Sequence, residues 1–139
     1  MKTDLIFSII SAVAAIISVV SCLLSFRHNR YLAVDEFLTT IDNKDFIEAR
    51  KHVYNNVHFA TDDQKAASGV NFFHHWGLLV KKHYLPLWVF KGASGRGAQR
   101  LYNRLNGFIM ERRKKDADQK YAEYFEWLIF KLKQKGYID

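Results

Sequence analysis

From Leu5 to Phe26 the chain reads LIFSIISAVAAIISVVSCLLSF, with no charge, proline or glycine. About 20 apolar residues at a rise of about 1.5 Å cross a hydrocarbon core of roughly 30 Å, so the run predicts a transmembrane helix. Leu32, Val34, Phe37, Leu38 and Ile41 keep helical spacing beyond it and predict that this helix continues to about Thr40. Asp42 and Asn43 break the pattern and offer an N-cap to a second helix carrying Phe46, Ile47, Ala49, His52, Val53 and Tyr54. Thr61-Asp62-Asp63 starts a third, from about Asp63 to Lys82, with Val70, Phe73, Trp76, Gly77 and Val80 on its buried side. The stretch LPLWVFKGASGRG follows, holding the only proline, Pro86, and predicts a short helical turn and then a flexible connection. A fourth helix is expected from about Ala98 to Lys115, with Leu101, Leu105, Phe108 and Ile109 inward. A fifth is expected from Asp116 to about Gln134, with Tyr121, Tyr124, Phe125, Leu128 and Leu132 on one face and Gly136 closing it. No segment alternates as a strand would between hairpin turns. The expected fold class is therefore all-α: residues 1–26 form a single N-terminal transmembrane anchor and residues 27–139 a compact cytoplasmic helical bundle.

Two other readings of the apolar run are weaker. A cleavable signal has a shorter apolar core and a small-residue exit, whereas this run ends in LLSF. Val19-Val20-Ser21-Cys22 loosely fits a lipoprotein signal with Cys22 lipidated, but Lys2 offset by Asp4 makes a poor positive leader, and Leu23-Leu24 follows the cysteine. An uncleaved anchor is the expectation. Arg27, His28 and Arg30 stand directly after the run, so the positive-inside rule places the N-terminus outside and the rest of the chain in the cytoplasm, on the inner (plasma) membrane.

Ser8, Ser11, Ala15, Ser18 and Cys22 recur along one seam of this helix. Helices associate in lipid by close backbone approach and interhelical hydrogen bonds, so a stripe of small residues predicts a packing face. With one span in the chain, its partner is another chain, and a homo-oligomer is expected.

Without the run, about 110 residues remain, enough for one modest domain. The single cysteine excludes an intramolecular disulfide and cysteine-based zinc sites. The net charge of +7 is unevenly spread. Lys91, Arg96, Arg100, Arg104, Arg112, Arg113, Lys114 and Lys115 face Glu111 alone between positions 91 and 115. Arg96, Arg100 and Arg104 are four apart, which on a helix makes a ridge continuing into Arg112 and Arg113, a surface for anionic lipid or an acidic protein. Nucleic acid is the less favoured partner, since Tyr102 and Phe108 fall off the ridge and no stacking platform is interleaved with it.

Catalytic chemistry has no signature. His74 and His75 are adjacent, so on a helix they point about 100° apart; one of them is expected near the core, hydrogen-bonded there. His52 and His58 straddle a helix end, and no H-E-x-x-H pattern exists. Lys91-Gly-Ala-Ser-Gly-Arg-Gly suggests a phosphate loop, with Ser94, Arg96 and backbone amides around an anion, yet it lacks the G-K-[ST] ending and the preceding strand. The carboxylates sit at helix starts and on solvated faces, where they cap and balance charge. No catalytic residue, metal ligand or cofactor is expected.

Three stretches together carry a resemblance. Asn43-Lys-Asp-Phe-Ile-Glu-Ala-Arg-Lys-His-Val-Tyr, Val70-Asn-Phe-Phe-His-His-Trp-Gly-Leu-Leu-Val-Lys-Lys and Tyr121-Ala-Glu-Tyr-Phe-Glu-Trp-Leu resemble segments of a family of short bacterial membrane-anchored helical proteins of unknown function. The likeness implies a helical, cytoplasm-facing domain on one anchor and no assigned activity. The architecture is also similar to that of small accessory membrane proteins of type VI CRISPR systems, which assemble into pores. Their class includes an Arg–His nuclease-type pairing absent here, since Arg50 is followed by His52 and His58, one too near and one too far. The expected function is a membrane-anchored, non-enzymatic module that self-associates through its transmembrane helix and presents a basic surface. The alternative is a homo-oligomeric pore acting in bacterial defence.

Overall fold

The apolar run and the amphipathic stretch after it form one helix, α1 (Lys2–Ile41), of 40 residues and, at helical rise, about 60 Å long. A computed structural model describes residues 2–139. Nothing between Phe26 and Ile41 interrupts α1, because no proline or glycine occurs there. Thr39 and Thr40 turn their hydroxyls back onto the Asp35 and Glu36 carbonyls at 2.9 and 2.6 Å. The helix stops where the Asn43 side chain accepts the Asp45 amide at 2.8 Å and caps α2 (Lys44–Asn55). Asp63 does the same for α3 (Gln64–Lys81), accepting the Lys65 and Ala66 amides at 3.0 and 2.9 Å. A 3-10 turn, Leu87–Phe90, leads to α4 (Ala93–Lys115), and α5 (Glu123–Gln134) completes the chain. Among the described residues there is no strand.

Gly136, at φ +67°, closes α5 as expected: its amide bonds the Lys133 carbonyl and the Tyr137 amide reaches Leu132, satisfying two end carbonyls.

Two boundaries differ from expectation. The glycine-containing connection is already helical from Ala93, so Gly95, Gly97 and Arg96 lie in the opening turns of α4. Two of the glycines have steric reasons. Gly92 takes a φ of +87°, which a side chain would oppose, and a Cβ on Gly95 would run into the Phe90 carbonyl. The fifth helix starts at Glu123 instead of Asp116. Asp116 caps α4, Ala117 and Ala122 adopt left-handed conformations, and the Lys120 amide bonds Asp118 Oδ1 at 2.9 Å. Arg113 fixes this turn by donating from Nε to the Tyr121 carbonyl at 2.9 Å.

α3 lies at the centre of the body, between α2 and α5. Its aromatic side chains stack in both directions: Phe72 on Phe46 at 3.7 Å between centroids, and Phe73 on Phe125 at 5.0 Å. α1 enters this core through Phe37, which has no solvent exposure and sits edge-on to Trp76 at 5.0 Å and against Phe90 at 4.9 Å. Between α3 and α5 the backbones approach closely, because a Cβ on Gly77 would overlap the Tyr124 carbonyl.

Phe37→Ala is expected to destabilise the protein by about 3–5 kcal/mol through cavity formation. Gly77→Ala is expected to cost about 1–3 kcal/mol or more by overpacking. Gly107→Ala, which opens onto empty space, is expected to stabilise by up to about 1 kcal/mol. Denaturant unfolding of the full chain in mild detergent orders the three, and a neutral Gly77→Ala would contradict the close α3–α5 approach.

Candidate functional site

The 18 residues of α3, about 27 Å at helical rise, connect two ends of the helical body that differ in charge. The end at its start holds Thr61, Asp62 and Asp63. There Arg112 donates from Nη1 to the Thr61 carbonyl at 2.9 Å and pairs through Nε with Asp116 at 2.8 Å. Arg113 pairs with Glu126 at 2.9 Å, and Lys115 reaches the Thr61 hydroxyl at 3.0 Å. Arg112 and Arg113 are thus committed to contacts within the chain. Their directions around α4 also part them from each other, since one meets the α3 start and the other meets α5. Arg96, Arg100 and Arg104 are exposed on α4, with a 3.4 Å contact from Arg104 Nη1 to the Tyr54 carbonyl. The sequence-read ridge is consequently two sets: three exposed arginines, and a far-end cluster interleaved with Asp116, Asp62 and Glu126.

The opposite end is where the apolar part of α1 departs. A groove there brings Arg30 of α1 beside Val80, His83, Trp88, Lys131 and Lys135, and a neighbouring hollow joins Arg27, Arg30 and Tyr31 to Pro86 and Trp88. His83 stands at φ +63°, turning the chain out of α3, while the Tyr84 and Leu85 amides both bond the Leu79 carbonyl. The turn holds Val89 and Phe90 in the core and leaves Trp88 60% exposed. Arg27, Arg30, Val80 and Pro86 stood out in the sequence for other reasons, but nothing there brought them together with His83, Trp88, Lys131 and Lys135, which are distributed over three segments. The available signal was negative: 27–34, 79–91 and 129–138 contain no Asp or Glu.

Ser8, Ser11, Ala15, Ser18 and Cys22 lie along one stripe of α1 and are all exposed. No part of the body covers the apolar run. Ser18 donates its hydroxyl to the Ala14 carbonyl at 2.9 Å, so its polar group is satisfied within its own helix.

The histidines divide by partner. His52 Nε2 lies 2.7 Å from Asp63 Oδ2 and ties α2 to the cap of α3, with Asn56 donating to the His52 carbonyl at 2.7 Å. His74 is half-buried against the Tyr124 ring, but its Nδ1 has no hydrogen-bond partner, which corrects the expected core hydrogen bond. Burial lowers the His74 pKa, the Glu123 charge opposes this and His75 adds to it, so the ring favours its neutral form. His75 is exposed beside Trp76. Among the described residues no group of three His, Cys, Asp or Glu side chains is placed to hold a metal ion. No protein family, curated protein or solved structure matches this chain.

Burial pushes the Asp63 carboxyl up, but the Ala66 amide, the His52 hydrogen bond and charge, and the Lys65 amide together bring it below its ordinary value of 3.8. A carboxyl lowered on folding contributes stability that is complete above its unfolded pKa and is lost as pH falls through the folded one. Stability is therefore expected to decline below about pH 4 more steeply in the parent protein than in Asp63→Asn, which keeps a capping oxygen without the charge. Denaturant midpoints over a descending pH series measure this. Parallel slopes for the two proteins would remove Asp63 as the source.

Proposed function

We propose that this chain is a single-pass protein of the inner (plasma) membrane, with its N-terminus outside and its helical body in the cytoplasm. It acts as a non-enzymatic module that self-associates through α1 and offers basic surface to anionic lipid or an acidic partner. The observation that carries the reading is α1 itself. Its apolar run is uncovered around the whole circumference, far beyond the few hundred Å² of contiguous apolar surface that soluble monomers expose. The same helix then ends, unbroken, inside an aromatic core. A surrounding hydrocarbon phase satisfies the run, and Arg27 and Arg30 at its end favour the cytoplasmic side.

Continuity gives the anchor a mechanical consequence. A flexible linker would let the body tumble beneath the bilayer, whereas a helix locked by Phe37 transmits its own tilt and rotation to α3 and α5. Self-association along the Ser8–Cys22 seam would then set how neighbouring bodies face one another. Ser18, already bonded to Ala14, leaves a small and satisfied surface suited to close helix packing, which favours association over a water-filled pore.

Resistance to alkaline carbonate extraction tests the span, and a protein released by that wash would overturn it. In membranes, mild oxidation is expected to link Cys22 to Cys22 of a second copy. The double variant Ser11→Leu, Ser18→Leu is expected to lower the linked fraction several-fold. A linked fraction insensitive to both substitutions would exclude this seam.

A further inference from the structure

The groove at the departing end of α1 combines three properties. First, its lining carries Arg27, Arg30, Lys131 and Lys135 and no Asp or Glu side chain. Lys82 and Lys133 stand in the segments around it, 27–34, 79–91 and 129–138, and the first carboxylates beyond those segments are Asp35 and Asp139. The far end, by contrast, neutralises its arginines with Asp116 and Glu126. Second, it exposes amphipathic aromatics, Trp88 at 60% and Tyr31 at 70%, with Tyr84 exposed on the adjoining turn. Tryptophan and tyrosine side chains concentrate at membrane interfaces, where the ring meets apolar surface and the polar edge meets water.

Third, its depth is set by α1. Trp88 shares a hollow with Arg27, Arg30 and Tyr31, which follow Phe26 by one to five residues, or about 1.5–8 Å at helical rise. The headgroup layer on each side of a hydrocarbon core is about 5–8 Å thick. The aromatic turn and the surrounding cations therefore fall at headgroup level when Leu5–Phe26 fills the core. Lys131 bonds Gln134 at 2.8 Å, leaving its remaining ammonium protons for an acceptor.

We propose that this end of the helical body is a seat for anionic phospholipid headgroups, in which Trp88 lies within the bilayer interface while Arg27, Arg30, Lys131 and Lys135 bind the phosphates. The seat rests on the membrane-span reading of α1. It adds a second attachment beside the span, so the body is held down against the bilayer at two points. Continuity with the span and opposite charge favour a lipid surface over a protein as the occupant.

The test uses the full chain reconstituted in phosphatidylcholine vesicles with and without phosphatidylglycerol, each carrying a headgroup-level spin-labelled lipid that quenches tryptophan. Trp76 lies in the core and Trp127 lines the same groove; both are present in the parent and in the exposed-site variant Trp88→Phe, so the difference between the two proteins isolates Trp88. The expected result is strong quenching of the Trp88 component, greater in phosphatidylglycerol vesicles. Lys131→Gln with Lys135→Gln, which leaves Arg27 and Arg30 in place, is expected to reduce that anionic preference several-fold while the melting temperature is unchanged, and an undiminished preference would overturn the lysine contacts. Carbonate-resistant protein with an unquenched Trp88 would overturn the seat, leave the span intact and assign the groove to a protein partner. Quenching with no lipid preference would overturn the phosphate contacts. Protein stripped by carbonate would overturn the span and the seat together.

Discussion

The Phe37 ring, enclosed by Trp76 and Phe90, is the joint on which the molecule depends. It is the point where a helix about 60 Å long stops being an isolated rod and becomes part of a packed body. Burying a phenylalanine side chain contributes about 1.5–3 kcal/mol. Here that contribution also fixes a direction, because α1 leaves the core with no intervening linker. Phe37 touches both α3 and the 3-10 turn, so it sets the position of Trp88 relative to Arg27 and Arg30. The aromatic layer beyond it, Phe46 on Phe72 and Phe73 on Phe125, extends the same packing to α2 and α5.

Folding redistributes the charge of this protein. Along the sequence, positive charge is densest from Lys91 to Lys115. In three dimensions the last part of that block meets carboxylates: Asp116 from the following turn and Glu126 from α5. These partly exposed pairs contribute little to stability, on the order of 0–1 kcal/mol each. Their larger effect is to lower the field at that end. Meanwhile arginines from α1 and lysines from the end of α5 gather at the other end, in a groove whose lining holds no Asp or Glu. In the proposed membrane setting, that arrangement turns the stronger uncompensated field toward the bilayer, where anionic headgroups lie within a Debye length of about 8–10 Å.

Glycines and histidines illustrate the same distinction. Gly95 and Gly92 sit in a run that invites a phosphate-loop reading, but both have steric reasons within the fold: one for close approach to the Phe90 carbonyl and one for a positive φ. Gly77, inside the buried face of α3, permits the backbone of α5 to come within contact distance. His52 acts through its partner, Asp63, eleven positions away in sequence and adjacent in space.

The amino-acid sequence by itself determined the all-helical class, the apolar extent and continuation of α1, the caps Asn43 and Asp63 and the stop at Gly136. Each of these follows from interactions within one or two helical turns, so spacing and residue type suffice. The tertiary structure decided what depends on distant residues meeting. Ala93 begins α4 because the 3-10 turn packs onto its first residues, and Glu123 begins α5 because Arg113 and Asp118 hold the preceding turn. The division of arginines and lysines into neutralised and uncompensated groups depends on which helix ends lie together. A carboxylate from another helix, several ångströms away, alters a cation's field far more than its own sequence neighbours do, and only packing brings that carboxylate near.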